Sequence, residues 1–563
     1  MKKPERIQSE RLLFLALKRM TLEDIITTLG GFGCYQKRLF IVICVIEFFV
    51  PFQLFCHLFH TLPVDHWCND TTWWPRSCPI HWNVTPSECR SFLKGIVIPT
   101  SGDPPVYSKC TKYDYENVTG DVTEWMTLNT SVDVIACDRG WVFEEDTPLT
   151  LSKEFELVCD KKALTKVAQS IYFAGILTGC LLCSFIGDRF GRLTIFYTGM
   201  LGVGVIGTII AFVQSITSYL ILRYITGLFI WFAVSSAYII LMEFIGTSHR
   251  VVGGTILTVP FGIGFMALAG IAYGIGNWRK LQLVVSLPYI AFLVFWRKSL
   301  ESPRWLMTQE RWQDVQKVLD KLAKLNKTDE NLTGNEIDGL KESFHSQKTT
   351  SSLLHVLRIR RLRWRSLILL TIWFIHSFVY YGLTLNSANF GTNIYVTFCF
   401  FGLSEIPACI LSLVLMKFIG RRYAVVTCMI PAGLACIFTT FLPPGGWMTT
   451  VAVLGKLWIS SSFGSIYLFT VELFSTNLRV SVLGASSLSA RIGGICAPLM
   501  LILTGIWKPL PLIVFGALSL AGGLLALLLP ETRGEPMPQT VAEAESLGRT
   551  KIRLPTSPTD EDI

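Results

Sequence analysis

The ionisable side chains inside runs that are otherwise apolar include Glu47, Glu405, Lys456 and Arg491. A charge at membrane depth costs roughly 3 kcal/mol even on lenient insertion scales, so each needs a use. Arg491 is the strongest of the four. It stands in SLSARIGGICAPLM (487–500), close to Ser487, Gly493 and Gly494, small residues that let helices approach or leave room for a ligand. A guanidinium keeps its charge and meets a carboxylate with two parallel hydrogen bonds, so it suits an organic anion. The structural alternative is an internal pair with Glu405 or Glu47. Lys456 lies near the outer start of its run, where its long stem can carry the ammonium to the interface. His376 reads as a packed, hydrogen-bonding residue. Aromatic side chains occur at similar depth: Tyr380, Tyr381, Phe463, Tyr467, Trp231 and Phe261. Phe463 and Tyr467 are four apart and share a helix face. Such walls hold flat organic ions with loose geometry, or simply face lipid.

The elements that carry these residues follow from composition. Of 563 residues, 51% are hydrophobic and only 16% charged, with a mean hydropathy of +0.47. Soluble domains hold about 25% charged residues. Disorder is excluded by the hydrophobicity, and nucleic-acid binding by the thin spread of a net charge of +9. Apolar runs of about 20 residues, enough to cross a bilayer, lie near 39–59, 167–186, 194–213, 219–241, 251–274 and 281–297. A second set lies near 366–385, 393–416, 423–442, 447–470, 480–503 and 509–529. An all-α membrane protein of twelve helices in two sets of six is expected.

Two polar segments interrupt the pattern. Residues 57–162, after the first helix, hold 9 Lys/Arg against 16 Asp/Glu; residues 297–365, between the sets, hold 15 against 9. Excess Lys/Arg marks the cytoplasmic side. The central loop, 298–365, is therefore expected inside, as are the N-terminus (1–38) and the polar tail (530–563). The first loop is expected outside, inserted into a six-helix bundle spanning 39–297, with a second bundle over 366–529. Six of the 16 cysteines fall in the outer loop: Cys68, Cys78, Cys89, Cys110, Cys137 and Cys159. They read as disulfides of an extracellular domain, in any of 15 connectivities. Glycosylation sequons there start at Asn69, Asn83, Asn117 and Asn129; those at Asn326 and Asn331 lie on the cytoplasmic side and are expected to stay unmodified.

The two sets repeat each other. Gly191 and Gly420, Glu243 and Glu472, and Arg250 and Arg479 are each 229 residues apart; Glu301 and Glu531 are 230 apart. Two parallel six-helix repeats describe a major facilitator transporter. Asp188, Arg192, Glu243, Arg250 and Glu301 are expected to form one cytoplasmic charge network, with Arg421, Glu472, Arg479 and Glu531 as its mate, the two gating the inner side. On the bland reading these charges only fix topology.

The motifs GWVF (140–143), KEFELVC (153–159), GDRFGR (187–192), MEFIGTSHR (242–250), ESPRWL (301–306), YYGL (380–383), SEIPA (404–408), VELFSTNLR (471–479) and LPET (529–532) resemble those of solute carrier family 22, the organic cation, anion and zwitterion transporters. The resemblance runs from about residue 20 to 540. It implies that Tyr380, Tyr381, Phe463, Tyr467, Ser487 and Phe261 line a substrate site. The cation branch usually carries an acid where Arg491 stands, so the resemblance implies the anion or zwitterion branch. Helix one departs: Leu54 and Leu58 replace polar asparagines, and Glu47 is an unusual acid. Cys409 stands where some anion carriers have Lys. RIGGICAPL and VPFQLFCHLF look most like urate or nicotinate carriers, TLNSANFG more like a carnitine carrier.

The expected function is a polyspecific organic anion transporter of the plasma membrane working by alternating access. No phosphate-binding GxxxxGK[ST] loop occurs, so a gradient or an exchanged counter-anion would drive it. No catalytic constellation, cofactor or metal site is read. An organic cation or carnitine-type carrier is the alternative, with Glu47 and Glu405 as attracting acids. A non-transporting receptor of the same fold is the third reading.

Overall fold

The computed structural model describes residues 21–69, 94, 98–101, 106–114, 133–144, 147–294, 299–328, 334–346 and 358–548. A short α1 (Leu22–Thr28), capped by Thr21, leads into α2 (Cys34–His60). After the polar insertion come α3 (Leu151–Glu154), α4 (Ala163–Phe190), α5 (Arg192–Ile210), α6 (Ile216–Phe244), α7 (Thr247–Ile256), α8 (Thr258–Ile275) and α9 (Trp278–Ala291). The central link carries α10 (Pro303–Thr308), α11 (Trp312–Asn326) and α12 (Gly334–Ser346). The second half comprises α13 (Arg360–Leu385), α14 (Ile394–Phe418), α15 (Arg421–Thr439), α16 (Gly446–Leu473), α17 (Thr476–Met500) and α18 (Leu510–Ala526), with α19 (Val541–Ser546) in the tail.

Among the described residues, ten helices are long and apolar enough to cross a bilayer. The expected sixth and twelfth spans are the shorter helices α9 and α18. Helices satisfy their own backbone groups, which lipid cannot do. The halves meet where α8 runs along α14 and α4 along α17.

Among its described residues the insertion contains three two-stranded antiparallel ladders. β1 (His66–Cys68) pairs with β6 (Trp141–Phe143), so the segment closes on itself; β2 (Thr100–Ser101) pairs with β3 (Val106–Tyr107), and β4 (Thr111–Tyr113) with β5 (Val134–Ala136). Among the described residues two disulfides form, Cys68–Cys137 and Cys110–Cys159. Cys78 and Cys89, and the sequons at Asn83, Asn117, Asn129 and Asn331, lie outside the described residues; Asn69 lies just after β1, its backbone N–H donating to the Gly140 carbonyl. Lys109 holds the Asp65 carboxyl below the usual carboxylate range through a direct hydrogen bond. The insertion is tied to the first half through α3. Glu154 accepts from Trp278 Nε1 (2.7 Å) and Arg279 Nη2 (2.5 Å), and Arg279 also donates to the carbonyls of Ala211 and Val213.

The Asn326 side chain is engaged at the opposite end. Its Oδ1 accepts from Tyr35 N (2.9 Å), and its Nδ2 donates to Leu29 O (2.7 Å) and Gln36 Oε1 (2.9 Å). It therefore joins the central link to the elbow between α1 and α2.

Candidate functional site

Arg491 sits mid-way along α17, 9% exposed. Its guanidinium lies over the Trp231 ring, 4.0 Å from the centroid. Tyr381, Tyr467 and Cys180 lie near enough to feel its charge, and Ser487 lies near Cys180. Cation–π contact offsets part of the charge, but Arg491 Nε is buried with no partner, and no carboxylate pairs with Arg491 among the described residues.

The internal pairing with Glu405 does not occur, because Glu405 is taken elsewhere. Its Oε1 accepts from Tyr380 OH (2.8 Å) and Ser460 Oγ (3.1 Å) and lies 3.1 Å from Lys456 Nζ. The expectation that Lys456 reaches the interface is overturned: it is 0% exposed, and its ammonium rests on the Tyr380 ring. α16 turns Lys456 toward α14 and α13, so the nearest acid is closer than any interface. His376 is packed as expected, with its nitrogens on Ile372 O (2.8 Å) and Ser462 Oγ (2.6 Å).

Phe463 and Tyr467 form one wall with Trp373. Trp373 meets Tyr467 edge-on at 4.4 Å and Phe463 at 5.8 Å, and Phe463 lies 6.0 Å from Tyr380. Phe261 is not part of this wall. It packs on Phe265, which stacks on Phe398 at 4.6 Å. Phe55 and Phe59 of α2, Tyr395 of α14 and Tyr381 complete that cluster. It closes the space between the halves toward the insertion. Away from it the lining opens: Tyr467 is 37% exposed and Tyr238, beside it, 45%. Glu47 lies near enough to Cys44, Tyr238 and Tyr289 for its charge to act on them, and makes no ion pair among the described residues. Sequence reasoning missed Trp373, Phe265 and Cys180. Only the seven-residue spacing of Trp373 and Tyr380 hinted that they share a face.

The repeated charge motifs keep to their own halves. Glu301 accepts from the backbone N–H groups of Arg192 and Leu193 at 3.2 Å, and Glu531 from those of Arg421 (2.9 Å) and Arg422 (3.1 Å). Each acid thus caps the first turn of a helix, where free N–H groups and the dipole favour negative charge. Burial raises the Glu301 carboxyl above its ordinary range against the pull of those bonds. The preceding Gly191 and Gly420 have φ of 96° and 94°. A Cβ at Gly191 would lie 2.6 Å from Glu301 Oε2. Replacing Glu531 with Gln should lower thermal stability by about 1 kcal/mol, read from unfolding of the purified protein; an unchanged melting temperature would refute the capping role.

Beyond the caps the halves differ. Arg421 pairs with Glu472 at 3.0 Å, whereas Arg192 pairs with Asp188 at 2.7 Å and leaves Glu243 Oε2 without a partner. Arg250 reaches Glu23 of α1 (3.7 Å) and the Ile245 carbonyl; among the described residues Arg479 reaches only the Phe474 carbonyl. Among the described residues no hydrogen bond or ion pair of these nine side chains crosses between halves, so the two networks do not meet as mates in this arrangement.

The family model for sugar (and other) transporters matches residues 112–541. Solute carrier family 22 member 3 of Mus musculus is 32% identical over 550 residues, spanning 94% of this chain and 97% of that protein. The chain belongs to solute carrier family 22. This family 22 member is thus a membrane carrier, not an enzyme. It is also 34% identical to the organic cation transporter protein of Drosophila melanogaster (94% and 95% covered), and 30% identical to solute carrier family 22 member 6 of Oryctolagus cuniculus (95% and 96%). Its fold is the major facilitator one: the inward open xylose transporter XylE from E. coli superposes with a TM-score of 0.55 at 16% identity, covering 70% of this carrier and 93% of XylE.

Proposed function

We propose that this carrier moves organic anions, or zwitterions presenting a carboxylate, across the plasma membrane by alternating access, through exchange or down a gradient. One observation carries the reading. Arg491 is buried at the junction of the halves and among the described residues no acid pairs with it, while Glu405 is already bound to Lys456, Tyr380 and Ser460. The free charge in that wall is therefore positive, and a carboxylate is its natural partner. Trp231, Tyr381, Tyr467, Phe463 and Trp373 supply apolar surface for the rest of the substrate. Twelve spans, both termini in the cytoplasm and an extracellular disulfide-linked insertion belong to the same proposal, as does a gating role for the two charge networks.

A cation carrier is the second reading. It is favoured by the name of the Drosophila relative and by Glu47, which has no ion-pair partner among the described residues. Uptake of nicotinate, urate, carnitine and a quaternary amine into expressing cells decides between them. The wild type should take up carboxylates, and Arg491→Ala should reduce that uptake by about a hundredfold, the loss of a charge-assisted contact worth ~2–3 kcal/mol. Carboxylate uptake that survives the change, or uptake confined to the quaternary amine, overturns the proposal.

A further inference from the structure

The first half contains a charge that the substrate site does not use. Arg223 of α6 is 0% exposed. Among the described residues no carboxylate pairs with it; its polar neighbours are neutral. Its guanidinium lies 3.4 Å from Gln169 Oε1, 3.5 Å from Gln53 O and 3.6 Å from Cys56 Sγ, above the Tyr172 ring at 4.3 Å. Four buried polar atoms of this region have no hydrogen-bond partner: Arg223 Nε, Gln53 Oε1, Tyr172 OH and His60 Nε2. The rest of the seam is satisfied. His57 bridges Tyr219 OH (2.8 Å) and Thr165 O (2.7 Å), Gln282 donates to Gly207 O (3.0 Å) and Ser286 Oγ (2.9 Å), and Gln53 Nε2 donates to Val285 O (3.1 Å). The deficit is concentrated around one cation.

An arginine does not shed its proton to escape burial. Its charge in a dry interior calls for a negative partner, and the contacts made by α2 and α4 provide none. We propose that this pocket binds a small inorganic anion, chloride, with Arg223 Nε and the Tyr172 hydroxyl as donors and a co-bound water meeting Gln53 Oε1. Full enclosure by α2, α4, α6 and α9 leaves no route for an organic substrate. Two free donors suit a halide better than an oxyanion with several oxygens to satisfy. The pocket is separate from the substrate site yet near it: Tyr172 neighbours Phe173, which packs on Tyr381 at 4.6 Å. The inference does not depend on which organic ion is carried.

Thermal unfolding of the purified full-length carrier in sodium chloride and in sodium gluconate at equal ionic strength tests it. Chloride should raise the melting temperature in a saturable way, since a ligand that binds only the folded state stabilises it. Gln53→Glu, which sets a carboxylate on the residue whose backbone carbonyl lies 3.5 Å from the Arg223 guanidinium, should abolish that dependence and give the chloride-bound melting temperature in gluconate. Tyr172→Phe should weaken the apparent chloride affinity about tenfold. Arg491→Ala should leave the chloride response intact, which separates this pocket from the substrate site. No difference between the two salts in the wild type overturns the proposal, as does a chloride response unchanged in Gln53→Glu or Tyr172→Phe. A Cys56 thiolate serving as the internal counter-charge would give the first of those results.

Discussion

Lys456→Met should be among the most damaging single changes in the second half, lowering stability by roughly 3–5 kcal/mol. The side chain is similar in volume, so packing alone predicts little loss. The cost lies in what remains. Glu405 would keep its bonds from Tyr380 and Ser460 but lose the cation that balances it at 3.1 Å. A buried carboxylate in that position takes up a proton or drags water into the helix contact, and either disturbs the wall that Tyr380 shares with Phe463. The double change Lys456→Met with Glu405→Gln removes both charges and should recover most of the loss. Unfolding temperatures of the single and double variants in detergent measure the coupling. Additive losses would show that the two residues do not act as a pair.

The second large effect is expected where α4 crosses α6. Gly175 and Gly227 face each other there. A Cβ on Gly175 would run into the Tyr224 carbonyl oxygen, and one on Gly227 into that of Tyr172. Apolar helices in lipid gain little from hydrophobic burial against each other, so close backbone approach supplies much of their attraction. Gly175→Ala should force the helices apart, at a cost of about 1–3 kcal/mol by overpacking, and should lower both folded yield and melting temperature. Gly270→Ala, where a Cβ meets open space, is the control and should be nearly silent. Equal behaviour of the two variants would mean that the crossing tolerates separation.

Much of this architecture is legible in the sequence, for physical reasons that differ by feature. Apolar run length marks the spans because a bilayer has one thickness. α9 and α18 show the limit: Pro288 lies inside α9, Pro509 and Pro511 stand at the start of α18, and each regular helix is shorter than its apolar stretch. The 229-residue repeat reveals duplicated charges but not their partners. Glu301 and Glu531 cap helices instead of only joining side-chain networks, and Arg250 finds Glu23 on a helix that lies outside the repeat. Arg491 stands out because an Arg inside an apolar run is rare, and Arg223 in the run 219–241 carries the same signal. The Lys456–Glu405 pair is hidden because it depends on how α14 and α16 rotate against each other, and no spacing along one chain encodes that. Trp373 is hidden by abundance: in a chain with 12% aromatic residues, one more tryptophan carries no signal of its own.

The grip of Glu154 on Arg279 and Trp278 has a consequence for measurement. The insertion is locked to the first half at the start of α9 and has no comparable tether to the second half among the described residues. It should ride on that half as a rigid pointer. A label on the insertion paired with one on the same end of the second half would then report any rocking of the halves, away from the residues proposed to bind substrate.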